Sequence, residues 1–296
     1  MKEAQPNLMM SAVDLPKITV VGVGLLGGSI GLAVRQRHIA RHVTGYVRRP
    51  EQIAECLAAG AVDEATQDLA AAVTDAALVI LCTPVGQMRE LAQQLRPHLR
   101  ADAIVTDVGS VKGSVVAELE TVLPQFVGSH PMAGSEKTGV AHARADLFEG
   151  AVCAVTATPK TNPAAVATVE TFWRALGARP VHLSPEEHDR LVARASHLPH
   201  AVATALVNTV LGRAVNGQSD FCATGFRDTT RLADGSVAMW RDIALANRES
   251  IDQALGELAD ELGALRQALG RGDTQALEQF FARGQKLRAD WLQRKA

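Results

Sequence analysis

The chain has 296 residues, of which 47% are hydrophobic and 21% charged, and its formal net charge at pH 7 is -2. This composition excludes a disordered protein, and the lack of a basic surplus argues against a nucleic-acid binder. The longest apolar runs fall well short of the ~18 residues that a membrane span needs, so a membrane protein is also excluded.

The first part of the chain alternates short apolar runs with helix-length amphipathic stretches. Residues 1–16 lack the apolar core of a signal peptide, and we expect them to form a flexible leader. Apolar runs between helices are typical of a parallel sheet covered on both faces, so residues 17–183 are predicted to form an α/β domain with a doubly wound sheet. The predicted strands are 18–23, 43–47, 77–83, 103–107, 125–129, 151–156 and 179–183, and the predicted helices are 28–36, 50–59, 85–96, 114–122 and 163–176.

The pattern changes at residue 184. The segment SPEE at residues 184–187 is typical of a helix start, with an N-cap serine, a proline in the first turn and acids facing the helix dipole. Helical patterns then cover residues 186–212, 236–262 and 274–294, which predicts an all-helical second domain over residues 184–296. The four cysteines are widely spaced without a CxxC pair, so we expect free thiols in a cytoplasmic protein.

A glycine motif joins the first predicted strand to the first helix. Residues 22–27 read GVGLLG and match GxGxxG. In a Rossmann-type domain the first glycine allows a tight turn, the second lets the backbone approach a pyrophosphate, and the third lets the helix pack close to the strand. The motif therefore predicts a dinucleotide site. The residues expected to contact the cofactor here are Gly22, Gly24, Leu25, Leu26, Gly27, Thr83 and Pro84.

The end of the second predicted strand favours NADP over NAD. NAD enzymes place an acid there, about twenty residues after the last motif glycine, on the ribose 2′-hydroxyl. This chain has Val47 at about that position, followed by Arg48 and Arg49. A guanidinium can bind the 2′-phosphate of NADP, which an acid would repel. The alternative is that both arginines are only solvated.

Two later strand ends carry polar clusters, in the region where ligands of open α/β sheets bind. One is TDVGSVKG at residues 106–113, and the other is GSHPMAGSEKTG at residues 128–139. His130 lies in the second cluster, flanked by proline and glycines. A histidine titrates near neutrality and can take the proton of an alcohol while a hydride leaves the carbon, so His130 is a candidate general base.

The helical part adds SHLPH at residues 196–200, GFRDTTRL at 225–232 and MWRDI at 239–243. With the glycine motif and the two strand-end clusters, these segments in this order make the chain resemble the prephenate and arogenate dehydrogenases of tyrosine biosynthesis, over nearly its whole length. The resemblance implies a Rossmann-type domain followed by an all-helical dimerisation domain. It also implies oxidative decarboxylation of prephenate or arogenate, giving 4-hydroxyphenylpyruvate or tyrosine, with hydride transfer to NAD or NADP.

The resemblance assigns roles to single residues. His130 would take the proton of the ring hydroxyl, and Ser110 would hold that hydroxyl, the histidine and the nicotinamide in line. Arg231 would bind a carboxylate of the substrate, for which its planar fork is suited. The further residues that the resemblance places in the substrate pocket are His200, Glu136, Trp240 and Arg227. The assignment of Arg227 has the least support, because the family often has lysine at this position.

Assembly is predicted from the long helices of the second domain. Leucines recur there at helical spacing, at positions 255, 258, 262, 265 and 269. These leucines could all be buried in the helical core of a single chain. Because the resembling enzymes are dimers joined through this domain, we expect a homodimer, with no nucleic-acid or membrane partner.

Other interpretations stay open at this point. His197 and His200 have the i,i+3 spacing of zinc ligands, but no third ligand follows at a usual spacing, so no metal is expected. Trp240 could be a core residue, and the histidines outside the motifs, His188 among them, are interpreted as structural. The chain could also be a different two-domain NADP oxidoreductase, of the 3-hydroxyacid dehydrogenase or imine reductase type, or a nucleotide-sensing module without activity. The choice between prephenate and arogenate is left undecided.

Overall fold

The structure is a computed structural model that describes residues 14–135, 137–212 and 217–295. Residues 1–13 of the predicted leader and the predicted pocket residue Glu136 lie outside this part. The chain divides into two compact units, Met1–Arg248 and Glu249–Ala296. Among the described residues, no helix is both long and apolar enough to cross a membrane.

The first unit combines short strands with helices. The strands are β1 (Ile18–Val21), β2 (Val43–Tyr46), β3 (Glu64–Thr66), β4 (Leu78–Leu81), β5 (Ile104–Asp107), β6 (Phe126–Pro131), β7 (Val152–Thr156) and β8 (Arg179–Leu183). The helices are α1 (Leu25–Gln36), α2 (Glu51–Ala58), α3 (Leu69–Val73), α4 (Val85–Leu95), α5 (Gly113–Val122), α6 (Pro163–Ala175), α7 (Pro185–Val192), α8 (Leu198–Val210), α9 (Thr224–Thr230) and α10 (Val237–Ala246).

The strands form one sheet in the order β3-β2-β1-β4-β5-β6-β7-β8. Neighbours from β3 to β6 are parallel, β7 is antiparallel to β6, and β8 is parallel to β7. The chain builds outward from β1 to β3 and then returns to place β4 on the other side of β1, so the strand order reverses between β1 and β4. Ligands of such sheets bind in the crevice at this reversal, beyond the carboxyl ends of the strands. The predicted doubly wound α/β fold is confirmed.

Both faces of the sheet are buried, which explains the continuous apolar runs in the sequence. Successive side chains of a strand point to opposite faces. In β4, Leu78 and Ile80 accordingly join one apolar cluster, while Val79 and Leu81 join the other. A strand covered on both sides needs apolar residues at every position, and this requirement produces a run instead of an alternation.

The structure differs from the predicted elements in several places, and the helices α3 and α9 were not predicted at all. The short strand β3 reads EAT and is at most partly buried, so it carries no apolar signal. The predicted helix 186–212 is interrupted by a π-helical turn, Ala193–His197, and the predicted helix 236–262 ends at Ala246, before the buried Asn247. Strand β7 runs antiparallel to β6, whereas the apolar runs in the sequence predicted a parallel sheet. The π-helical turn and the break at Asn247 both lie near the site described below, where such irregularities often occur.

The second unit is a pair of helices, α11 (Arg248–Arg271) and α12 (Thr274–Lys295). Gly272 adopts the left-handed conformation at the turn between them, and Arg283 pairs with Glu261. Phe281, Leu287 and Trp291 are each more than half exposed, and Leu255, Leu262 and Leu269 are also exposed. Both helices therefore carry large apolar side chains that are exposed in the described part of the chain. The predicted domain boundary at residue 184, one residue after β8 ends, stays a prediction.

Candidate active site

The turn between β1 and α1 requires its first and third glycines for different steric reasons. Gly22 has a φ of +99°, and a Cβ there would lie 3.0 Å from the carbonyl oxygen of Cys82. At Gly27 a Cβ would lie 2.2 Å from the carbonyl oxygen of Gly22, too close for any side chain. Gly24 differs, since a Cβ there would meet nothing within 4 Å. The second glycine thus faces open space in front of the helix.

This open space has the polar groups that a dinucleotide needs. Helix α1 has no side-chain cap at Gly24 and no acid in its first turn, where Leu25 and Leu26 are partly exposed. Its first amides and the helix dipole are consequently available to an anion. On the neighbouring strand end, the buried Oγ1 of Thr83 lacks a hydrogen-bond partner within the described part of the chain, and Pro84 is the N-cap of α4. An uncapped helix, an open glycine and an unpaired hydroxyl fit a pyrophosphate-bridged cofactor.

The two arginines lie at the carboxyl end of β2. Val47 is buried, whereas Arg48 and Arg49 are exposed. Their backbone is held in place, because the carbonyl of Arg48 accepts a hydrogen bond of 2.7 Å from Gln67 and the amide of Arg49 donates one of 3.3 Å to Gln52. The guanidinium groups thus extend from a fixed backbone at the edge of the sheet where the cofactor crevice opens.

A buried ion pair anchors the turn after β5. Asp107 and Lys112 are both 0% exposed and contact each other through a carboxylate oxygen and Nζ. The same carboxylate accepts hydrogen bonds from the amide of Gly109 at 2.8 Å and from the amide of Ser129 on β6 at 3.1 Å. A charge in the interior is stable only when it is paired and hydrogen-bonded, as this one is. Asp107 thereby ties the DVGSVK turn to the strand that carries the candidate base.

Ser129 holds the backbone directly before His130. Its hydroxyl donates to the carbonyl oxygen of Asp107 at 2.6 Å and accepts from Nε1 of Trp173 at 3.0 Å. The hydroxyl of Thr106 lies 2.9 Å from Oγ of Ser129 and can donate a second hydrogen bond to it. All four of these residues are fully buried. The strand end is thus fixed on three sides, which restricts where the imidazole of His130 can lie.

His130 is joined to a second histidine that sequence reasoning interpreted as structural. Its Nδ1 lies 2.8 Å from Nε2 of His188 on α7, and Nδ1 of His188 lies 2.8 Å from Oδ1 of Asp189. The carboxylate of Asp189 also accepts the amides of Lys112 at 2.7 Å and Gly113 at 2.8 Å. These contacts in series connect His130 to the start of α5.

The helical segments attach to the same network. Asn247 donates to the carbonyl oxygen of Asp189 at 2.9 Å, and its side-chain nitrogen lies 3.3 Å from Nδ1 of His197. The ring of His197 meets Trp240 edge to face, and Trp240 stacks on His200 with centroids 3.5 Å apart. The structure therefore connects three residues that the sequence singled out, His130, His200 and Trp240. The connecting residues are His188, Asp189, Asn247 and His197.

Gly235 makes the stacked pair possible. A Cβ at this position would lie 2.5 Å from Nε1 of Trp240 and 2.8 Å from Cε1 of His200. The backbone can approach both rings only without a side chain. Trp240 keeps partial exposure, and His200 is 8% exposed. The pair thus forms a wall with a remaining accessible edge, which suits a substrate pocket better than a closed core.

The remaining candidates lie nearby but are not linked to His130 by these contacts. Arg231 is exposed and starts a 3₁₀ turn, Arg231–Asp234, that packs against α8. Arg227 is exposed on α9, which also packs against α8. Ser110 follows the anchored Gly109, and its backbone lies close to the ring of His197. The positions of both arginines on elements next to His200 agree with a role at the pocket, which stays a prediction.

The buried histidines are held in their neutral form. Burial lowers the pKa of His130 well below 6.5, and the positive charge of Lys112 lowers it further. Burial also lowers the pKa values of His188 and His200, and it lowers that of His197 to about 4. A neutral imidazole has a lone pair to accept a proton, so His130 has the protonation state that a general base needs at neutral pH.

Two functional candidates, His188 and Asp189, had no signal in the sequence. They are adjacent residues in an ordinary capped helix, and they gain their partners only because α7 packs against α5 and brings His188 to His130. The four cysteines are free thiols, as predicted. Within the described ranges no group of three or more histidine, cysteine or acidic side chains is placed to hold a metal ion.

Comparison with known proteins identifies the family. Residues 30–182 match the nucleotide-binding domain of prephenate dehydrogenase, and residues 184–283 match its dimerization domain. The prephenate dehydrogenase of Bacillus subtilis (strain 168) is 38% identical over 270 residues, which cover 89% of this chain and 73% of that protein.

Two solved structures extend this match to three dimensions. The prephenate dehydrogenase of Aquifex aeolicus, in complex with hydroxyphenyl propionate and NAD+, is 34% identical with a TM-score of 0.87 and coverage of 94% of this chain and 98% of that one. The Synechocystis arogenate dehydrogenase is 30% identical with a TM-score of 0.79 and coverage of 93% and 99%. The chain therefore belongs to the prephenate dehydrogenase family, as its sequence motifs indicate.

Proposed function

We propose that this enzyme oxidatively decarboxylates prephenate or arogenate, giving 4-hydroxyphenylpyruvate or tyrosine, with a pyridine nucleotide as hydride acceptor. The observation that carries the proposal is the position of His130. It is a neutral, hydrogen-bonded histidine at the carboxyl end of β6, on the same sheet edge as the glycine turn. Family membership supplies the substrate class, and this geometry supplies the base.

The chain's own residues divide the chemistry between them. His130 accepts the proton of the ring hydroxyl at Nε2, while Arg231 holds a substrate carboxylate and Ser110 helps to orient the hydroxyl. Gly24 and Thr83 would hold the pyridine nucleotide, and a bound nicotinamide would supply the acceptor for the hydride of the carbinol carbon. The bond from the ring to its carboxylate then breaks, carbon dioxide leaves, and the electron pair completes an aromatic ring. Aromatisation makes the reaction effectively irreversible, so the protein needs only to position the groups and remove the proton.

One assay tests this function. Purified protein is given prephenate or arogenate with NAD+ or NADP+, and the reduced nucleotide and released carbon dioxide are measured together. We expect reduced nucleotide and carbon dioxide in equal amounts with at least one of the four pairs of substrate and cofactor. In a parallel assay, a 3-hydroxyacid replaces these substrates. Reduced nucleotide formed there without release of carbon dioxide would support the alternative oxidoreductase. Cofactor binding without turnover of either substrate would support the nucleotide-sensing module.

We also propose a preference for NADP+, based on the two exposed arginines at the end of β2. Exchange of Arg48 for aspartate places a negative charge where the 2′-phosphate would bind. A hydrogen bond to a charged group contributes about 1.5–3 kcal/mol, so the KM for NADP+ should rise about 10- to 100-fold while that for NAD+ changes little. Lys160→Asp, a charge change at an exposed loop residue, is the matched control. An unchanged ratio of the two KM values would remove Arg48 from this role.

A homodimer through the helical unit is the third part of the proposal. The large exposed apolar side chains of α12, Phe281, Leu287 and Trp291, support it, because several such side chains on one helix favour a contact with another chain. Phe281→Glu should shift the protein from dimer towards monomer in sedimentation velocity, whereas Gln279→Glu, at an exposed position on the opposite face of the same helix, should not. A wild-type protein that sediments as a monomer at all concentrations would contradict the proposal.

A further inference from the structure

The pair His188-Asp189 on α7 has a geometry that constrains the proton positions of His130. His188 is 0% exposed and Asp189 6%, so water does not compete for their hydrogen bonds. The two contacts in series, from Asp189 to His188 and from His188 to His130, are both 2.8 Å long. Each ring nitrogen in this series is either a hydrogen-bond donor or an acceptor. Once the role of the Asp189 carboxylate is known, the roles of the nitrogens follow in turn.

Asp189 decides the direction of the series. Its two carboxylate oxygens receive the backbone N–H groups of Lys112 and Gly113, which can only donate. These amides belong to the first turn of α5, where the helix dipole favours a negative charge. A carboxylate in this setting accepts hydrogen bonds, so the third partner, Nδ1 of His188, must carry a hydrogen and donate it.

The tautomer of His130 follows from that of His188. A neutral imidazole has one N–H and one bare nitrogen, so a hydrogen on Nδ1 of His188 leaves its Nε2 as an acceptor. The group that faces this acceptor is Nδ1 of His130, which must then donate. The Nε2 of His130 is left bare. Burial lowers the pKa values of both rings, and this keeps both neutral near pH 7.

We propose that His188 and Asp189 are positioning residues that lock His130 in its Nδ1–H tautomer and leave Nε2 as the proton acceptor. The inference rests on the proposed function, in which His130 is the base. The charged and titratable groups around His130 are His188, Lys112 and His197, with Asp107 and Asp189 behind them. When Nε2 takes the substrate proton, the cationic ring donates to His188, and the carboxylate of Asp189 stabilises the charge through that ring without itself taking a proton.

A pair of substitutions at His188 separates positioning from packing. In His188→Gln, the side-chain oxygen can occupy the place of Nε2 and still accept from His130, whereas His188→Met fills similar volume without a hydrogen-bond acceptor of comparable strength. We expect kcat to fall about 10- to 100-fold in His188→Met and only a few-fold in His188→Gln, with KM and cofactor Kd nearly constant in both. His98→Gln, at an exposed histidine in the 3₁₀ turn Arg96–His98 that follows α4, is the control. Equal losses in both His188 variants, or a wild-type kcat in His188→Met, would overturn the proposal.

A spectroscopic measurement tests the tautomer without any turnover. In the full-length wild-type protein labelled with ¹⁵N-histidine, the ring nitrogen shifts of His130 should show Nδ1 protonated and Nε2 bare at pH 7, and those of His188 should show the same tautomer. A protonated Nε2 on His130 would refute the inference even if the enzyme is active. Conversely, a protein with the expected tautomers and no activity towards either substrate would contradict the proposed function and leave the positioning of His130 intact. Because it uses wild-type protein, this measurement stands even if a variant fails to fold.

Discussion

His130→Asn is expected to lower kcat by about 10²- to 10⁴-fold, the usual contribution of a general base. The amide nitrogen of asparagine can occupy the place of Nδ1 and still donate to His188, so the buried network should persist. What disappears is Nε2, the atom that accepts the proton. The dissociation constant of the cofactor should stay constant, since the glycine turn and Thr83 lie on other strand ends. Steady-state kinetics and equilibrium binding of the nucleotide measure the two quantities.

The pH dependence of the wild-type enzyme gives a second measurement of the same residue. Burial and the positive charge of Lys112 lower the pKa of His130 below 6.5, so the neutral base persists as the pH falls through 6.5. The acidic limb of kcat/KM should therefore lie below the pH expected for a free histidine, and His130→Asn should abolish this limb. Near-normal turnover of His130→Asn, with native cofactor affinity, would remove the residue from its role.

Arg231→Ala is expected to act on substrate binding and not on the chemical step. Loss of a charge-assisted contact to a carboxylate costs about 1.5–3 kcal/mol, which corresponds to a rise in the KM of the substrate of about 10- to 100-fold. The residue is exposed at the start of the 3₁₀ turn that packs against α8, so its removal should leave the fold intact. A kcat that stays within a few-fold of the wild type would show that the lost interaction acts equally in ground state and transition state.

Two further variants refine this experiment. Arg231→Lys retains the charge but not the planar fork, and we expect an intermediate KM if the carboxylate is bound by two parallel hydrogen bonds. Arg241→Ala removes an exposed arginine that already pairs with Asp242, and it should leave the KM unchanged. An unaltered KM in Arg231→Ala would assign the carboxylate to another cation, for which Arg227 is the next candidate.

The sequence was most informative where one physical requirement acts on consecutive residues. The strand β4 is buried on both faces, so each of its residues is apolar and the strand is visible as a run. The glycine motif is visible because Gly22 and Gly27 have steric limits that no other residue satisfies. By contrast, β3 was missed because an exposed three-residue edge strand needs no apolar residue, and the break at Asn247 was missed because helical propensity continues across it.

The amino-acid sequence by itself determined the α/β fold, the dinucleotide turn, the candidate base His130 and the family. These features depend on local geometry and on residue types that recur at fixed spacing. Only the tertiary structure decided which nitrogen of His130 faces His188, that Asp189 joins this pair to the start of α5, and that His200 stacks on Trp240 above Gly235. The partners in these contacts are up to 77 residues apart. Their meeting depends on how helices pack against strand ends, which no local pattern in the sequence encodes.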